Sequence, residues 1–183
     1  MSFFNTYIKG LLIFEPLVLE DSRGYFFESY NEKSFKEHEI NFRWVQDNQS
    51  SSNYGVIRGL HYQLNPNAQI KLVRVLSGVI LDVVVDIRKN SESFGKHYSI
   101  ELSAANKKQL FIPAGFAHGF SVLSEKAEIF YKCNEFYNKE KEAGIYYNDP
   151  VLNIDWKIDA GKEIISEKDK TLPLLAGCKN NFE

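Results

Sequence analysis

The sequence predicts an all-β protein of two packed antiparallel sheets, and three observations carry that prediction. Apolar-rich runs of strand length recur along most of the chain. Turn signals space them evenly, at Asn90-Ser91, Asn106 and Pro113-Ala114-Gly115. The strand–helix alternation and Gly-rich phosphate loop of a parallel α/β fold are both missing from the sequence. Aromatic strand formers are frequent, with 14 Phe, 10 Tyr and 2 Trp in 183 residues. The arrangement favoured is a double-stranded antiparallel β-helix, the jelly roll, as one domain over 1–183 with short peripheral helices.

The elements follow in chain order. "RGYFFESY" (23–30) reads as an aromatic strand, and "NEKSFKEHE" (31–39) has helical spacing. "FRWVQDNQS" (42–50) and "GVIRGLHYQ" (55–63) are the next strands. The long apolar stretch after them divides at Ser77-Gly78, which predicts a hairpin of "IKLVRVL" and "VILDVVVDI". "GKHYSIEL", "KKQLFIP", "GFAHGFSVL" and "AEIFYKCNEFY" complete the strands, and a second helical portion is expected around 160–172. A run as continuously apolar as "VILDVVVDI" implies cover on both faces, which in a chain this short predicts dimerisation.

Composition excludes several classes of function. A formal net charge of -2 with no basic stripe argues against nucleic acid as a partner. No apolar run approaches the ~20 residues of a membrane span. The opening "MSFFNTYIKG" lacks the pattern of a signal peptide. Two distant cysteines, Cys133 and Cys178, suit a reducing cytoplasm better than a disulfide scaffold.

Candidate chemistry comes from polar groups on apolar faces. In "AEIFYKCNEF", alternation puts Tyr131 inward with Ala127, Ile129 and Cys133. Alone, it reads as a core tyrosine with a bonded hydroxyl. Lys71 shares the face of Val73 and Val75, and Asp82 is a second charge in an apolar strand. A structural Lys71–Asp82 pair is one reading of them. In "RGLHYQ", His61 faces with Ile57 and Gln63, while Arg58 faces with Leu60 and Tyr62. Both reach one interior only if the strand breaks register, and Gly59 is where a bulge is tolerated. Asp169 in "SEKDKTLP" reads from position alone as part of a helix cap with Ser166. "PAGFAHGF" resembles the second motif of the cupin superfamily, in which such a histidine often binds metal. The first cupin motif is absent, because "HYQ" offers one histidine, and convergence of His61, His97 and His118 has no support in the spacing. No metal is expected.

Taken together, the segments closely resemble the dTDP-4-dehydrorhamnose 3,5-epimerase family over nearly the whole chain. "KGLLIFEP", "DSRGYFFESYN", "VQDNQS", "GVIRGLHYQ", "AQIKLVRVLSGVILDVVVDIRKNS", "FIPAGFAHGF", "YKCNEFYNKEKEAGIYYNDP", "IDW" and "SEKD" stand in the family's order and spacing. The resemblance implies a cofactor-free, cupin-like homodimer that exchanges an N-terminal strand and acts on a dTDP-linked 4-keto-6-deoxy sugar. It implies His61 as general base with Asp169 orienting it, Lys71 as stabiliser of the enolate, and Tyr131 as the acid on the other face of the sugar. Arg23, Arg58 and His118 match its diphosphate and sugar contacts. Phe26, Glu28, Gln46, Asp47, Asn48, Tyr137, Glu142 and Lys168 match its nucleotide-site positions, with Tyr137 stacking on thymine. Lys139 departs from the proline common in the family at that loop.

Such a reaction needs these residue types. An unassisted α-proton is roughly a dozen pK units less acidic than imidazolium, a gap of about 16 kcal/mol. A cation aimed at the carbonyl oxygen in a water-poor cavity is what closes most of it. Inversion then needs a proton from the opposite face, and a tyrosine close to a lysine is expected to have a lowered pKa. Rival readings are a mono-epimerase at C3 or C5, a non-catalytic sugar-nucleotide-binding cupin, and a metal-dependent cupin oxygenase.

Overall fold

The computed structural model describes residues 2–183 and shows two packed sheets with short helices at the periphery. The N-terminal part supplies β1 (Ser2–Asn5), β2 (Leu12–Glu15) and the small exposed hairpin β3 (Leu19–Asp21) and β4 (Gly24–Phe26). Helix α1 (Glu32–Glu37) follows, capped by the Asn31 side chain, which accepts from the Lys33 and Ser34 amides. Next come β5 (Gln46–Asn53), β6 (Val56–Gln63), β7 (Lys71–Ser77) and β8 (Val79–Asp86). After them run β9 (His97–Ser103), β10 (Gln109–Ile112), β11 (Phe116–Val122) and β12 (Lys126–Cys133). The chain closes with β13 (Glu142–Gly144), β14 (Ile164–Ile165) and the single turn α2 (Glu167–Lys170).

The first sheet runs β1-β2-β10-β7-β12-β5, and the second runs β13-β6-β11-β8-β9 with β14 added in parallel to β6. Alternation along each strand sorts side chains into layers. Val73, Val75, Ile80, Val84, Phe120, Val122, Ala127 and Ile129 meet between the sheets. Leu81, Val83 and Val85 point the other way, into a second cluster with Leu152, Trp156 and Phe182. Each such buried side chain contributes about 1.5–3 kcal/mol, which makes β8 the anchor of its sheet.

Four expectations are corrected here. β7 and β8 are not a hairpin, because they lie in different sheets and a single residue, Gly78, turns the corner between them at φ +80. A Cβ there would lie 2.1 Å from the Lys126 carbonyl oxygen, so only glycine makes this turn. The two-sided cover of "VILDVVVDI" comes from the chain's own C-terminal segment, so this strand is no argument for a dimer. The second helical portion shrinks to the four residues of α2, with Ile164–Ile165 pairing as strand before it. The strand expected at 23–30 is likewise only three residues long.

Candidate active site

The strand β6 carries the centre of the site. Its register with β11 pairs His118 with His61 and Phe120 with Arg58, so β6 spends one more residue than its partner between the two pairs. That extra residue is the bulge expected at Gly59, whose φ is +120. A Cβ at Gly59 would lie 2.6 Å from the Gly119 Cα, so the two strands approach too closely for any side chain. The consequence is chemical. Arg58 and His61 both reach a cavity of about 540 Å³ between the sheets, which Lys71, His118, Tyr131 and Asp169 also line.

His61 Nε2 lies 2.7 Å from Asp169 Oδ1. The other carboxylate oxygen accepts from the Gly59 amide at 3.4 Å, so the bulge also orients Asp169. Ser166 caps α2 by accepting from the Asp169 amide, as its position in the sequence implied. Burial works against the charged form of Asp169, but hydrogen bonds from His61, Gly59 and Ser166 outweigh it and hold the carboxyl below its ordinary range. His118 sits across from His61 and bonds Asp82 at 2.9 Å. Asp82 therefore belongs to His118, which corrects the Lys71–Asp82 pair.

Lys71 opens β7 and faces Tyr131, its Nζ 5.9 Å from the ring centroid. Among the described residues no carboxylate forms a salt bridge with it, and burial lowers its pKa against the opposing pull of Cys133, Asp82 and Glu142. Tyr131 is the expectation that fails on sign. Burial raises its pKa, with Cys133 adding to the rise and Arg58 opposing it, so the hydroxyl holds its proton more tightly than a free tyrosine. Arg58 is aimed by Ser52, whose Oγ accepts from its Nε at 3.0 Å.

At the Gln63 end, a second polar group forms. Tyr137 donates its hydroxyl to Glu142 at 2.9 Å and its amide to Gln46. Glu142 also bridges Lys168 at 2.5 Å, and Lys168 and Tyr137 hold its carboxyl below the ordinary range despite burial. Gln46 donates to Asn48 at 3.0 Å, whereas Asp47 points to the opposite face and pairs with Lys132. Arg23, Phe26 and Glu28 do not join the cavity within one chain. Arg23 is paired with Asp21 on an exposed hairpin, Phe26 is 66% exposed, and Glu28 accepts from Asn31. Among the described residues no cluster of three or more His, Cys, Asp or Glu is arranged to hold a metal ion. Both cysteines are free, and among the described residues no helix is long and apolar enough to cross a membrane.

Sequence reasoning missed Asp82 as the partner of His118, and it missed Ser52. The sequence reading noted Asp82 only as a charge in an apolar strand. What it lacked was the β8–β11 register that sets Asp82 beside His118.

Comparison with known proteins agrees with this geometry. The family model described as dTDP-4-dehydrorhamnose 3,5-epimerase matches residues 5–177. A dTDP-4-dehydrorhamnose 3,5-epimerase of Shigella flexneri is 52% identical over 172 residues, covering 92% of this chain and 93% of its own. The crystal structure of the Elizabethkingia anophelis enzyme of that name superposes with a TM-score of 0.92 at 55% identity, covering 95% of this chain and 96% of its own. A Legionella pneumophila epimerase in complex with dTDP-4-keto-L-rhamnose also gives 0.92, at 47% identity over 96% of this chain and 93% of its own. With His61, Lys71 and Tyr131 lining one cavity, and relatives at this identity over nearly its whole length, the chain belongs to the dTDP-4-dehydrorhamnose 3,5-epimerase family.

Proposed function

We propose that the chain converts dTDP-4-dehydro-6-deoxy-D-glucose to dTDP-4-dehydro-L-rhamnose by proton exchange at C3 and C5, with the following division of labour. His61 removes the proton α to the C4 ketone, and Asp169 holds the imidazole in the tautomer that leaves the reacting nitrogen free. The Lys71 ammonium meets the C4 oxygen as it becomes an enolate. Its freedom from a carboxylate partner leaves it available for that oxygen. Tyr131 returns a proton from the other side. The observation that carries this reading is that His61 stands on one sheet and Tyr131 on the other, so a sugar between them offers one face to each.

Arg58 and His118 take the sugar and its diphosphate. Tyr137, with Gln46, Asn48, Glu142 and Lys168 around it, receives the thymidine. Arg23 and Phe26 stand on the exposed N-terminal hairpin and Glu28 just after it, and a second copy of the chain in a strand-exchanged homodimer is the source from which they would reach a site. The enzyme works without cofactor or metal, in the cytoplasm.

The test is proton NMR of the substrate with the purified protein in deuterium oxide. Loss of both the C3 and C5 proton signals is expected, with activity unchanged after exhaustive chelation. Exchange at one carbon only would make the protein a mono-epimerase, and exchange at neither would refute the reading.

A further inference from the structure

Tyr137, the residue placed against the thymine, stands on the connection 134–141 between β12 and β13, and it is 53% exposed. A ring on an open loop is a poor platform unless the backbone beneath it is fixed, because any freedom left to the loop is lost on binding. Here the main chain on both sides of Tyr137 is held by one side chain. Gln63 Oε1 accepts from the Asn138 amide at 2.6 Å, and Gln63 Nε2 donates to the Phe136 carbonyl at 3.2 Å. The same nitrogen donates to the Asn67 carbonyl at 2.7 Å. Both N–H groups of the carboxamide are thereby engaged, and the residue is 4% exposed. No donor is left over for a ligand, and Gln63 is not among the residues that line the cavity.

We propose that Gln63 is a positioning residue, which orders the Tyr137 loop before the nucleotide arrives and fixes the thymine's seat relative to His61. The proposal rests on the epimerase reading. Its place on β6 gives the clamp a reference point. Gln63 lies two residues past His61, about 6.6 Å along the strand. It pairs there with Glu142 of β13, which accepts from the Tyr137 hydroxyl at 2.9 Å. Gln46 and Gln69 hold the same loop at one point each, on the Tyr137 amide and the Glu135 carbonyl. Of the three, Gln63 alone brackets Tyr137 and belongs to the strand that carries the base. A buried glutamine needs partners wherever it sits. What sets this one apart is that both of its bonds to the loop fall on the immediate neighbours of the stacking residue. Stacking on a ring already in place strengthens substrate and transition state alike, so the clamp acts on KM and leaves kcat.

The test measures dTDP binding by calorimetry, and KM and kcat for epimerisation, in Gln63→Met, which keeps the reach of the side chain and removes its hydrogen bonds. Affinity for dTDP is expected to fall about 10-fold, with KM rising to match and kcat staying within about threefold. A general loosening of β6 would lower kcat as well, since His61 is on that strand. Adding Gln63→Met to Tyr137→Ala should weaken dTDP no further than Tyr137→Ala alone, because the clamp acts through that ring. A second measurement needs no variant to fold: in the wild type without dTDP, the Tyr137 and Asn138 amides should already resist hydrogen exchange. Binding of dTDP by Gln63→Met at wild-type strength, a kcat that falls with the affinity, losses that add to those of Tyr137→Ala, or amides protected only once dTDP is present would each overturn the clamp. Failure of the wild type to bind dTDP or to turn over the sugar would instead refute the epimerase reading.

Discussion

Two histidine–carboxylate pairs face the same cavity, and they are built in opposite ways. His118 and Asp82 come from adjacent strands of one sheet, with side chains 8% and 0% exposed. His61 keeps 31% of its side chain accessible, and its partner Asp169 arrives from a one-turn helix 108 residues later in the chain. A pair locked inside a sheet can fix a hydrogen-bonding group in place, but its imidazole has little freedom to trade protons. A pair with one open imidazole and one buried carboxylate can take a proton and keep its orientation. The same residue pairing is thus closed in one place and open in the other, and access is what separates them.

The sharpest way to break this comparison is to remove the reactive imidazole. His61→Asn should lower both epimerisation and deuterium uptake by about 10²–10⁴-fold. Tyr131→Phe leaves the base and Lys71 in place, so deuterium should still enter with retention while inversion falls over the same range. Tyr131→Phe inverting at the wild-type rate, or His61→Asn exchanging at that rate, would show the roles to be misassigned.

The anchoring pair should instead be read out in stability. Asp82→Asn weakens a charge-assisted bond in a site closed to water, and a loss of about 1.5–3 kcal/mol in denaturant unfolding is expected. Asp169→Asn should cost less stability and more turnover, because its histidine can turn to solvent. The opposite ranking would dissolve the distinction between the pairs.

The smallest expected effect is a pH dependence. The folded pKa of Asp169 is depressed, so its contribution is complete above the ordinary carboxylate value, about 3.9, and is lost as pH falls through the lower folded value. The melting temperatures of wild type and Asp169→Asn should therefore hold a constant offset above that value and converge below it. An offset that grew on acidification would give the pKa shift the wrong sign.

Much of this was legible in the sequence because the signals were local. Two-residue alternation placed Tyr131 and Lys71 inward, and the need for Arg58 and His61 to share an interior located the bulge at Gly59. What failed depended on contacts between distant strands. The sheet to which β8 belongs, the pairing of Asp82 with His118, and the C-terminal cover over Val83 and Val85 are all set by tertiary register. The sign of the Tyr131 shift failed for a related reason: sequence shows that a lysine is near, but only depth of burial shows that desolvation wins. The nucleotide-site positions divided the same way. Tyr137, Glu142, Lys168 and Gln46 converge within the chain, while Arg23 and Phe26 lie on an exposed hairpin and Glu28 accepts from Asn31 at the start of α1.

The helix that delivers Asp169 is held largely by the site it serves: Asp169 bonds His61 and the Gly59 amide, and Lys168 pairs with Glu142. Its leading strand β14 contributes two residues, held by the Ile164 amide on the Gly55 carbonyl at 2.8 Å and by its pairing with β6. Segments with so few backbone bonds open at a small fraction of the free energy of global unfolding. A local opening of this one would carry Asp169 away from His61. The carboxylate that orients His61 is therefore only as secure as the segment that carries it.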